Sequence, residues 1–480
     1  MKLRNKIGYG FGDVASGALW SMCTSFILIY LTDSVGIGAA IMGTMFLVTR
    51  ICDGFTDVLM GALIDRTHSK WGKARPWYIA SIVPLIISSI LIFHVPARLS
   101  YTGKLIYVFV TYFVMTAIVY TVNSVAYNCL PAFAADNAKD RIHMNVFRFI
   151  GSTVMGIVIA SVVLPLVTHF GGSITSQTGW TKVILIVSAM SLVAFAITAV
   201  SVKEIVPEKK AKSDKEDKVD QEKPVENSQK VPFVKILWYV LSNRYFIIMA
   251  LSGLVGIIRT GMLAASTYYA QYNLGNGSLL GLITLAAMVP LLIGVVISPP
   301  FHIKWGMQKT MIVSRVIGMA GALVSAVFAG NFVLELVGIG LNFFMIGVSA
   351  SSSAAMLAYI ADYGEWKHGV NHTGTIFSCI SFTTKVGTGI GTAMVGWGLA
   401  LGGYVGGALV QTQSALFAIK AMHLYLPVVL TAVLLILVMF LDVEKKMPKI
   451  KEELAARNPD TWKENKLMNH APCADAVTTN

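Results

Sequence analysis

Residues 49–61, TRICDGFTDVLMG, place two aspartates four positions apart in a run that is otherwise mostly apolar. Arg50 lies about one turn before them, and long hydrophobic stretches flank the segment on both sides. A four-residue spacing puts two side chains on one face of a helix, roughly 40° apart. Asp53 and Asp57 should therefore lie side by side, and the rest of the chain decides whether water surrounds them.

The composition is that of a membrane protein. Of 480 residues, 55% are hydrophobic and 13% are charged, which is about half the charged share of soluble domains. The mean hydropathy is +0.67, and residues 77–95, 105–130 and 421–441 contain no Asp, Glu, Lys or Arg. About 20 apolar residues are needed to cross about 30 Å of hydrocarbon. A large soluble helical protein is the alternative, but it does not account for so many runs of this length.

The apolar runs predict an all-α membrane protein of twelve spans, with no removable signal peptide at the start. The predicted spans are 8–32, 38–64, 77–95, 105–130, 143–168, 181–201, 238–268, 279–300, 310–329, 332–361, 373–400 and 420–441. The paired aspartates then lie in the second span, inside the bilayer.

The distribution of the basic residues predicts the orientation. Thirty of the 38 Lys and Arg residues fall in segments on the side of the amino terminus, including the segment 304–315. The outer segments contain Arg98, Lys104, Lys182 and Lys420, and the spans contain Arg50, Arg148, Arg259 and Lys385. By the positive-inside rule, both termini are cytoplasmic and the protein lies in the cell membrane. The formal charge of +13 is therefore no sign of nucleic-acid binding.

The spans divide into two bundles of six. We predict an N-terminal bundle (1–202), a cytoplasmic linker (203–235), a C-terminal bundle (236–441) and a cytoplasmic tail (442–480) with a short helix near 449–457. The linker is rich in Lys and Glu and poor in large apolar residues, which is typical of a flexible segment. DRTHSKWGKARPWY after span 2 and FHIKWGMQKTMI after span 8 occupy equivalent places. Related bundles bind their substrate between the halves, near the midplane.

Two neighbouring carboxylates in a membrane need a compensating charge. Ionisable side chains at this depth are costly and usually face a cavity or a partner. Because Asp53 and Asp57 repel each other, one holds a proton or a cation lies between them. Thr56 adds an oxygen ligand suited to a hard cation such as Na⁺. The alternative is that Asp57 only pairs with Arg50 or Arg148.

Other polar side chains within the spans could bind a hydroxyl-rich ligand such as a sugar. Carboxylate, amide and guanidinium groups form bidentate hydrogen bonds with hydroxyls, and an aromatic face stacks on the ring. The candidates are Asp13, Asn123, Tyr127, Arg148 and Lys385. Arg259 is either structural or functional. Trp20 and Tyr30 are expected to be packing or interface aromatics.

The sequence predicts neither an enzyme nor a cofactor. It contains no G-x-S-x-G, H-E-x-x-H or phosphate-binding Gly-Lys loop. The five cysteines are scattered, which favours neither a disulfide framework nor a metal cluster. The only predicted ion is a coupling cation, H⁺ or Na⁺.

Several separated motifs resemble one transporter family. GYGFGD (8–13), TRICDGFTDVLMG, SKWGKARPW (69–77), ADYGEWKHG (361–369) and SFTTK (381–385) are similar to the glycoside–pentoside–hexuronide:cation symporters of the major facilitator superfamily. The resemblance covers all twelve spans. It implies the major facilitator fold and sugar–cation symport by alternating access.

The resemblance also assigns residues. It implies a cation site at Asp53, Thr56, Asp57 and Thr121, with Lys385 close to its carboxylates. It implies a sugar site at Asp13, Asn123, Tyr127, Arg148 and Lys385. Asn123 and Tyr127 stand where melibiose carriers have an aspartate and a tryptophan, and Thr56 stands where they have an asparagine. These departures argue against melibiose as the substrate and against Na⁺ as the only cation, so H⁺ and Na⁺ both stay open. The start of the chain is more similar to the glucuronide and xyloside (isoprimeverose) branch.

The sequence leaves two alternatives to sugar–cation symport. A lysolipid carrier of the same fold would need a wide apolar cavity open to the bilayer. A membrane sensor that acts through its linker and tail would transport nothing, and it would leave the paired aspartates unexplained.

Overall fold

The computed structural model describes residues 3–67, 69–135, 138–202, 204, 233–369, 373–408 and 410–457. The first half contains six long helices: α1 Leu3–Ser34, α2 Ala39–Arg66, α3 Arg75–Ile92, α4 Tyr101–Ala134, α5 Ala138–Gly171 and α6 Gln177–Ser201. The second half contains six more: α7 Arg244–Asn273, α8 Gly277–Ile297, α9 Met307–Val327, α10 Phe332–His368, α11 Thr373–Leu401 and α12, residues 413–439. Shorter helices are Phe233–Leu241, Pro299–Trp305 and Val443–Arg457.

These helices confirm the twelve-span prediction. Eleven stretches of the described chain are helical, long and apolar enough to cross a membrane. The twelfth, α11, has 29 residues and is rich in Gly and Thr. The predicted start of span 7 at residue 238 is wrong, because Asn243 caps α7 by accepting the N–H groups of Tyr245 and Phe246. The predicted tail helix is present as Val443–Arg457, and residues 203, 205–232 and 458–480 lie outside the described part.

Each half packs as a bundle, and helices of one half also pack against helices of the other. In the first half α1 packs against α5 and α6, and in the second half α10 packs against α8 and α9. Between the halves, α2 packs along α11 and α5 packs along α8. The helix that carries the paired aspartates therefore lies at the boundary between the bundles.

Small residues allow α2 and α11 to approach closely. A Cβ on Gly396 would lie 2.4 Å from the carbonyl oxygen of Ala39, and one on Gly43 would lie 2.8 Å from that of Ala393. Neither position tolerates a side chain at this separation. This contact is at the end of the bundle where α1 ends and α2 begins, which we call the distal end.

The two W-G turns repeat one structural device. Gly72 and Gly306 both have positive φ, 107° and 81°, and each precedes a helix. The Glu204 carboxylate, just after α6, accepts backbone N–H groups of residues 73–75 at 2.5–2.8 Å. The Glu444 carboxylate, just after α12, accepts those of residues 307 and 308 at 2.9 and 2.8 Å. A carboxylate at a helix N-terminus satisfies free N–H groups and the helix dipole, so the halves are related in structure as well as in helix order.

Candidate functional site

A lysine from the second half bridges the paired aspartates. Lys385 Nζ on α11 lies 2.8 Å from Asp53 Oδ2 and 3.0 Å from Asp57 Oδ2. Asp57 therefore pairs with neither Arg50 nor Arg148, the two partners considered from the sequence. The contact joins residues 332 positions apart, on helices of different bundles.

Asp53 is enclosed by its partners. Its side chain has 0% exposure, and Arg50 Nη1 lies 3.3 Å from Oδ2. The Thr121 hydroxyl on α4 donates to Oδ1 at 2.6 Å. Three donors from three helices thus hold one fully buried carboxylate, as a buried charge requires.

Arg50 is fixed in turn by aromatic side chains. Its Nη2 donates to the Tyr112 hydroxyl at 3.3 Å, and its guanidinium lies 4.3 Å from the centre of the Trp20 ring. Trp20 stacks on Tyr120 with the ring centres 4.5 Å apart. Trp20, expected only to pack, thus shields the charge next to the cation-site candidate, whereas Tyr30 packs against Phe93 and Trp180.

Asp57 is the more accessible carboxylate. Its side chain is 24% exposed, and its Oδ1 has no hydrogen-bond partner among the described residues. The Thr56 hydroxyl donates to the backbone oxygen of Asp53 at 3.1 Å, which keeps it on this turn of α2. The Asp53 carboxylate therefore has a full set of hydrogen-bond donors, whereas the Asp57 carboxylate has one buried oxygen without a partner among the described residues.

A second ion pair lies in the first half. Arg148 Nε on α5 donates to Asp13 Oδ2 on α1 at 2.7 Å, and the Ser16 hydroxyl donates to Asp13 Oδ1 at 3.2 Å. The Arg148 guanidinium lies 5.3 Å from the centre of the Tyr127 ring. The side chains of Arg148 and Asp13 are 31% and 14% exposed, so this pair is open to a ligand.

Tyr127 and Asn123 lie behind this pair. Tyr127 is 2% exposed, stacks on Tyr9 at 4.4 Å and donates to the Tyr9 backbone oxygen at 2.6 Å. Asn123 is 1% exposed, and its amide donates to the Ser81 hydroxyl at 2.9 Å. Both are buried in the first bundle, where Tyr127 supports Arg148 and Asn123 joins α4 to α3.

Tyr120 connects the two charged sites. The charges of Asp13 and Arg148 act on its hydroxyl, and so do those of Asp53 and Arg50. Trp20 stacks on its ring, and Tyr120 is therefore within electrostatic range of both charged sites.

The structure is a helical bundle with charged side chains midway along its helices. The amino-acid sequence also matches a protein-family model. A model of the MFS/sugar transport protein family covers residues 8–445. The chain belongs to this family. The resemblance to sugar–cation symporters and the major facilitator fold is thereby confirmed.

Related proteins align along most of the chain. The isoprimeverose transporter of Lactiplantibacillus pentosus is 31% identical over 461 residues, 94% of this chain and 91% of the relative. The inner membrane symporter YicJ of Escherichia coli is 28% identical and covers 89% of both chains. The glucuronide carrier protein homolog of the same organism is 27% identical and covers 95% of this chain and 96% of the relative.

Solved structures share the fold of this family member at low identity. The nucleoside transporter NupG has a TM-score of 0.57 at 14% identity and covers 90% of this chain and 98% of its own. A bacterial homolog of the lysosomal transporter Spinster has a TM-score of 0.62 at 14% identity, with coverage of 93% and 97%. The family and the structural neighbours are transporters, and this chain is a multi-pass membrane member of that transporter family.

The distal end of this transporter is closed by a polar cluster that the sequence analysis missed. Asp33 at the end of α1 accepts hydrogen bonds from Tyr404, at 2.5 Å, and from Tyr272. The Thr32 hydroxyl is hydrogen-bonded to that of Tyr268 at 2.8 Å. Asp33 is 7% exposed, and its two tyrosine donors belong to the other half. The sequence feature that could have indicated this cluster is the carboxylate of Asp33 at the end of the first span.

Proposed function

We propose that the chain is a secondary active transporter that carries a glycoside, a pentoside such as isoprimeverose, or a hexuronide together with H⁺ or Na⁺ across the cell membrane, with both termini cytoplasmic. The observation that carries this proposal is the Lys385 bridge to Asp53 and Asp57. It combines a candidate cation site with a contact between the two bundles. The sugar transport relatives support the substrate class.

The coupling cation binds where the Lys385 ammonium lies. A proton or Na⁺ at Asp57 neutralises one carboxylate and competes with Lys385 for its oxygens. The partly exposed Asp57 is the entry point, because Asp53 is already saturated, and the buried Asp57 Oδ1, which has no hydrogen-bond partner among the described residues, is a further ligand. When Lys385 is released, the contact between α2 and α11 weakens and its ammonium becomes available to the sugar.

The sugar binds between the bundles near the Asp13–Arg148 pair. Arg148 presents a planar donor group, Asp13 an acceptor, and both are partly exposed. Tyr127 and Asn123 support this surface from within the first bundle. Lys385 approaches from the second bundle, so a bound sugar contacts both halves.

Alternating access follows from these contacts. The Asp33 cluster holds the distal end shut, and the bundles rock about the bound sugar to open it. Only the empty or the doubly loaded carrier exchanges sides, because a carrier with one ligand leaves an uncompensated charge between the halves.

Transport is tested with purified protein in proteoliposomes. Uptake of a labelled panel of xylosides, glucosides and glucuronides is measured with an imposed Na⁺ gradient, an imposed proton gradient, or neither. We expect accumulation of at least one glycoside above equilibrium with one of the gradients. No accumulation of any member of the panel under either gradient contradicts the proposal.

The cation site is tested with Asp57→Asn. The amide keeps the shape of the side chain and removes the charge that binds the cation, so gradient-driven uptake should be lost while downhill exchange persists. Asp442→Asn is the matched control, because Asp442 pairs with Arg244 beyond the end of α12, far along the chain from the site. Undiminished accumulation in Asp57→Asn would exclude the assigned role.

A further inference from the structure

A buried glutamate and a buried histidine face each other near the distal end of the second bundle. Glu335 lies in the first turn of α10 and His423 lies in α12, and their side chains are 1% and 8% exposed. Glu335 Oε1 and His423 Nε2 are 3.7 Å apart. Neither atom has a hydrogen-bond partner among the described residues. The two atoms are thus close enough for an ion pair, but no hydrogen bond satisfies either of them.

The rest of both side chains is held in place from α7. The Tyr269 hydroxyl donates to Glu335 Oε2 at 2.8 Å, and the Tyr269 ring stacks on the imidazole of His423, with the ring centres 4.5 Å apart. His423 Nδ1 lies 3.1 Å from the hydroxyl oxygen of Ser266. Side chains of three helices therefore hold one carboxylate oxygen opposite one ring nitrogen.

The helices packed around the pair bring no counter-charge to it. α8 and α9 pack against α10, and α9 and α11 contact α12. The whole of α8 and the distal parts of α9 and α11, residues 316–327 and 386–401, contain no ionisable side chain.

The charged and titratable groups of α7 and α12 leave Glu335 without a second cation. Arg259 of α7 is hydrogen-bonded to Asn342, which is seven residues, or about 10 Å, further along α10 than Glu335. On α12, Lys420 lies one turn before His423, and no described ion pair includes it. Tyr425 lies close to Tyr269 and adds a neutral phenol. His423 is therefore the basic partner of Glu335 among the described residues.

Without a proton on this pair, a negative charge is buried beside a neutral ring. A buried ion without a charged partner is costly, and the Tyr269 hydroxyl removes only part of the cost. One added proton makes the pair neutral overall. The helix dipole at the start of α10 favours an ionised Glu335, so the proton belongs on His423. The imidazolium then donates from Nδ1 to Ser266, directs Nε2–H at the carboxylate and lies over the Tyr269 ring.

Both helix segments at the pair have a widened turn. The Leu274 N–H donates to the Tyr269 backbone oxygen at 3.1 Å, and the Leu426 N–H donates to the Ala421 backbone oxygen. Each bond reaches back five residues instead of four. Such π-helical turns are rare and occur frequently at functional sites.

The same turns of α7 carry the distal closure. Tyr268 is hydrogen-bonded to Thr32, and Tyr272 donates to Asp33. Tyr269 lies between them in sequence and contacts the Glu335–His423 pair. A movement of this part of α7 relative to α10 and α12 therefore also moves the tyrosines that hold the two halves together.

We propose that Glu335 and His423 bind a proton at a site separate from Asp53 and Asp57, and that this proton holds the distal end shut. When the proton leaves, the Glu335 charge gains from contact with water, so α7 separates from α10 and α12 and its closing tyrosines withdraw from the first half. The closed carrier binds the proton more tightly than the open one, and low pH therefore favours closure. The proton site does not depend on the proposed symport; only its effect on the closure rests on alternating access.

The site is tested by the melting temperature of the purified full-length protein at about pH 5.5 and about pH 8.5, on either side of the range in which histidine titrates. Glu335→Gln keeps an acceptor for Tyr269 and removes the charge. It should lower the melting temperature by about 2 °C or more at the lower pH and should not lower it at the higher pH. His423→Asn should follow the same pattern, and the double variant should lose no more than the larger single loss.

An equal loss at both pH values would mean that Glu335 only accepts a hydrogen bond, and it would overturn the proton site. The matched control is His169→Asn, which removes an exposed histidine at the end of α5 and should change the melting temperature at neither pH. Size-exclusion chromatography shows whether each variant is folded. If Glu335→Gln does not fold, His423→Asn alone supports the same comparison.

The effect on the closure is tested by labelling a single cysteine between the bundles in intact cells, with an impermeant maleimide added outside. Rates for wild type and Glu335→Gln are measured at both pH values, and their ratio removes the effect of pH on the thiol itself. The ratio of wild type to variant should increase at least about fivefold from the lower to the higher pH. A constant ratio would overturn the link to the closure. Neither measurement requires sugar uptake, so a failure of the proposed symport is seen separately.

Discussion

Replacing Lys385 with methionine should increase the affinity for the coupling cation. The lysine lies between two carboxylates, whose Oδ2 atoms are at most about 5.8 Å apart (2.8 Å to Asp53 plus 3.0 Å to Asp57). At that separation and an effective dielectric constant of about 20, two negative charges repel by about 3 kcal/mol. In the variant Arg50 still pairs with Asp53, but Asp57 has no positive partner and needs a cation from solution.

About 3 kcal/mol corresponds to a factor of about 100 in affinity. The half-saturating concentration of Na⁺ or H⁺ in Lys385→Met should fall by about that factor, while coupled sugar uptake is lost. Lys385→Arg keeps the charge and should keep the weaker cation binding. Lys420→Met removes a lysine at the start of α12 and should change neither property.

Cation binding is measured on detergent-solubilised protein, by calorimetric titration with NaCl and by potentiometric titration for protons. Size-exclusion chromatography shows whether the variants are folded. If folded Lys385→Met binds the cation no more tightly than wild type, then Lys385 does not compete with the cation, and the mechanism proposed for its release is refuted.

Three other outcomes concern the distal closure, the helix contact and the capped turns. Asp33→Asn weakens two hydrogen bonds between the halves, which costs about 1.5 kcal/mol. The rate at which a reagent added at the outer face labels a cysteine between the bundles should then increase about tenfold. An unchanged labelling rate would count against this closure. Gly396→Leu should separate α2 from α11, because a Cβ there would lie 2.4 Å from the Ala39 oxygen, and a loss of cross-linking between these helices checks it. Glu444→Gln should lower the free energy of unfolding by about 1 kcal/mol, seen as a lower melting temperature, since a charged cap becomes neutral.

The helices could be predicted because the membrane imposes length and apolarity on each of them. The sequence could not place every boundary, since caps depend on single side chains. Asn243 starts α7 six residues after the predicted start. The likeness between the W-G turns was visible in the sequence, but their carboxylate caps were not. Glu204 and Glu444 lie about 130 residues from the turns they cap.

The site was only partly predictable because local spacing gives the face of a side chain and not its partner. The i,i+4 spacing of Asp53 and Asp57 placed them together, but local spacing could not identify Lys385, which contacts them from the other bundle. Arg315 was counted among the basic residues of the inner segment 304–315, although the predicted span 9 begins at residue 310. It lies eight residues inside α9, which begins at Met307.

In the proposed mechanism, coupling between the two ligands follows from one side chain, because Lys385 joins the bundles and also neutralises the candidate cation site. A cation that displaces Lys385 from Asp57 weakens the contact of α2 with α11, and a sugar that recruits Lys385 exposes the carboxylates to the cation. Each ligand therefore lowers the cost of binding the other, and thermodynamic linkage requires the two effects to be equal. The factor by which saturating sugar lowers the half-saturating cation concentration should match the factor by which saturating cation lowers that of the sugar, and both should vanish in Lys385→Met. Cooperativity that survives in this variant would mean that the ligands communicate through another part of the protein, such as Tyr120, which is within electrostatic range of both charged sites.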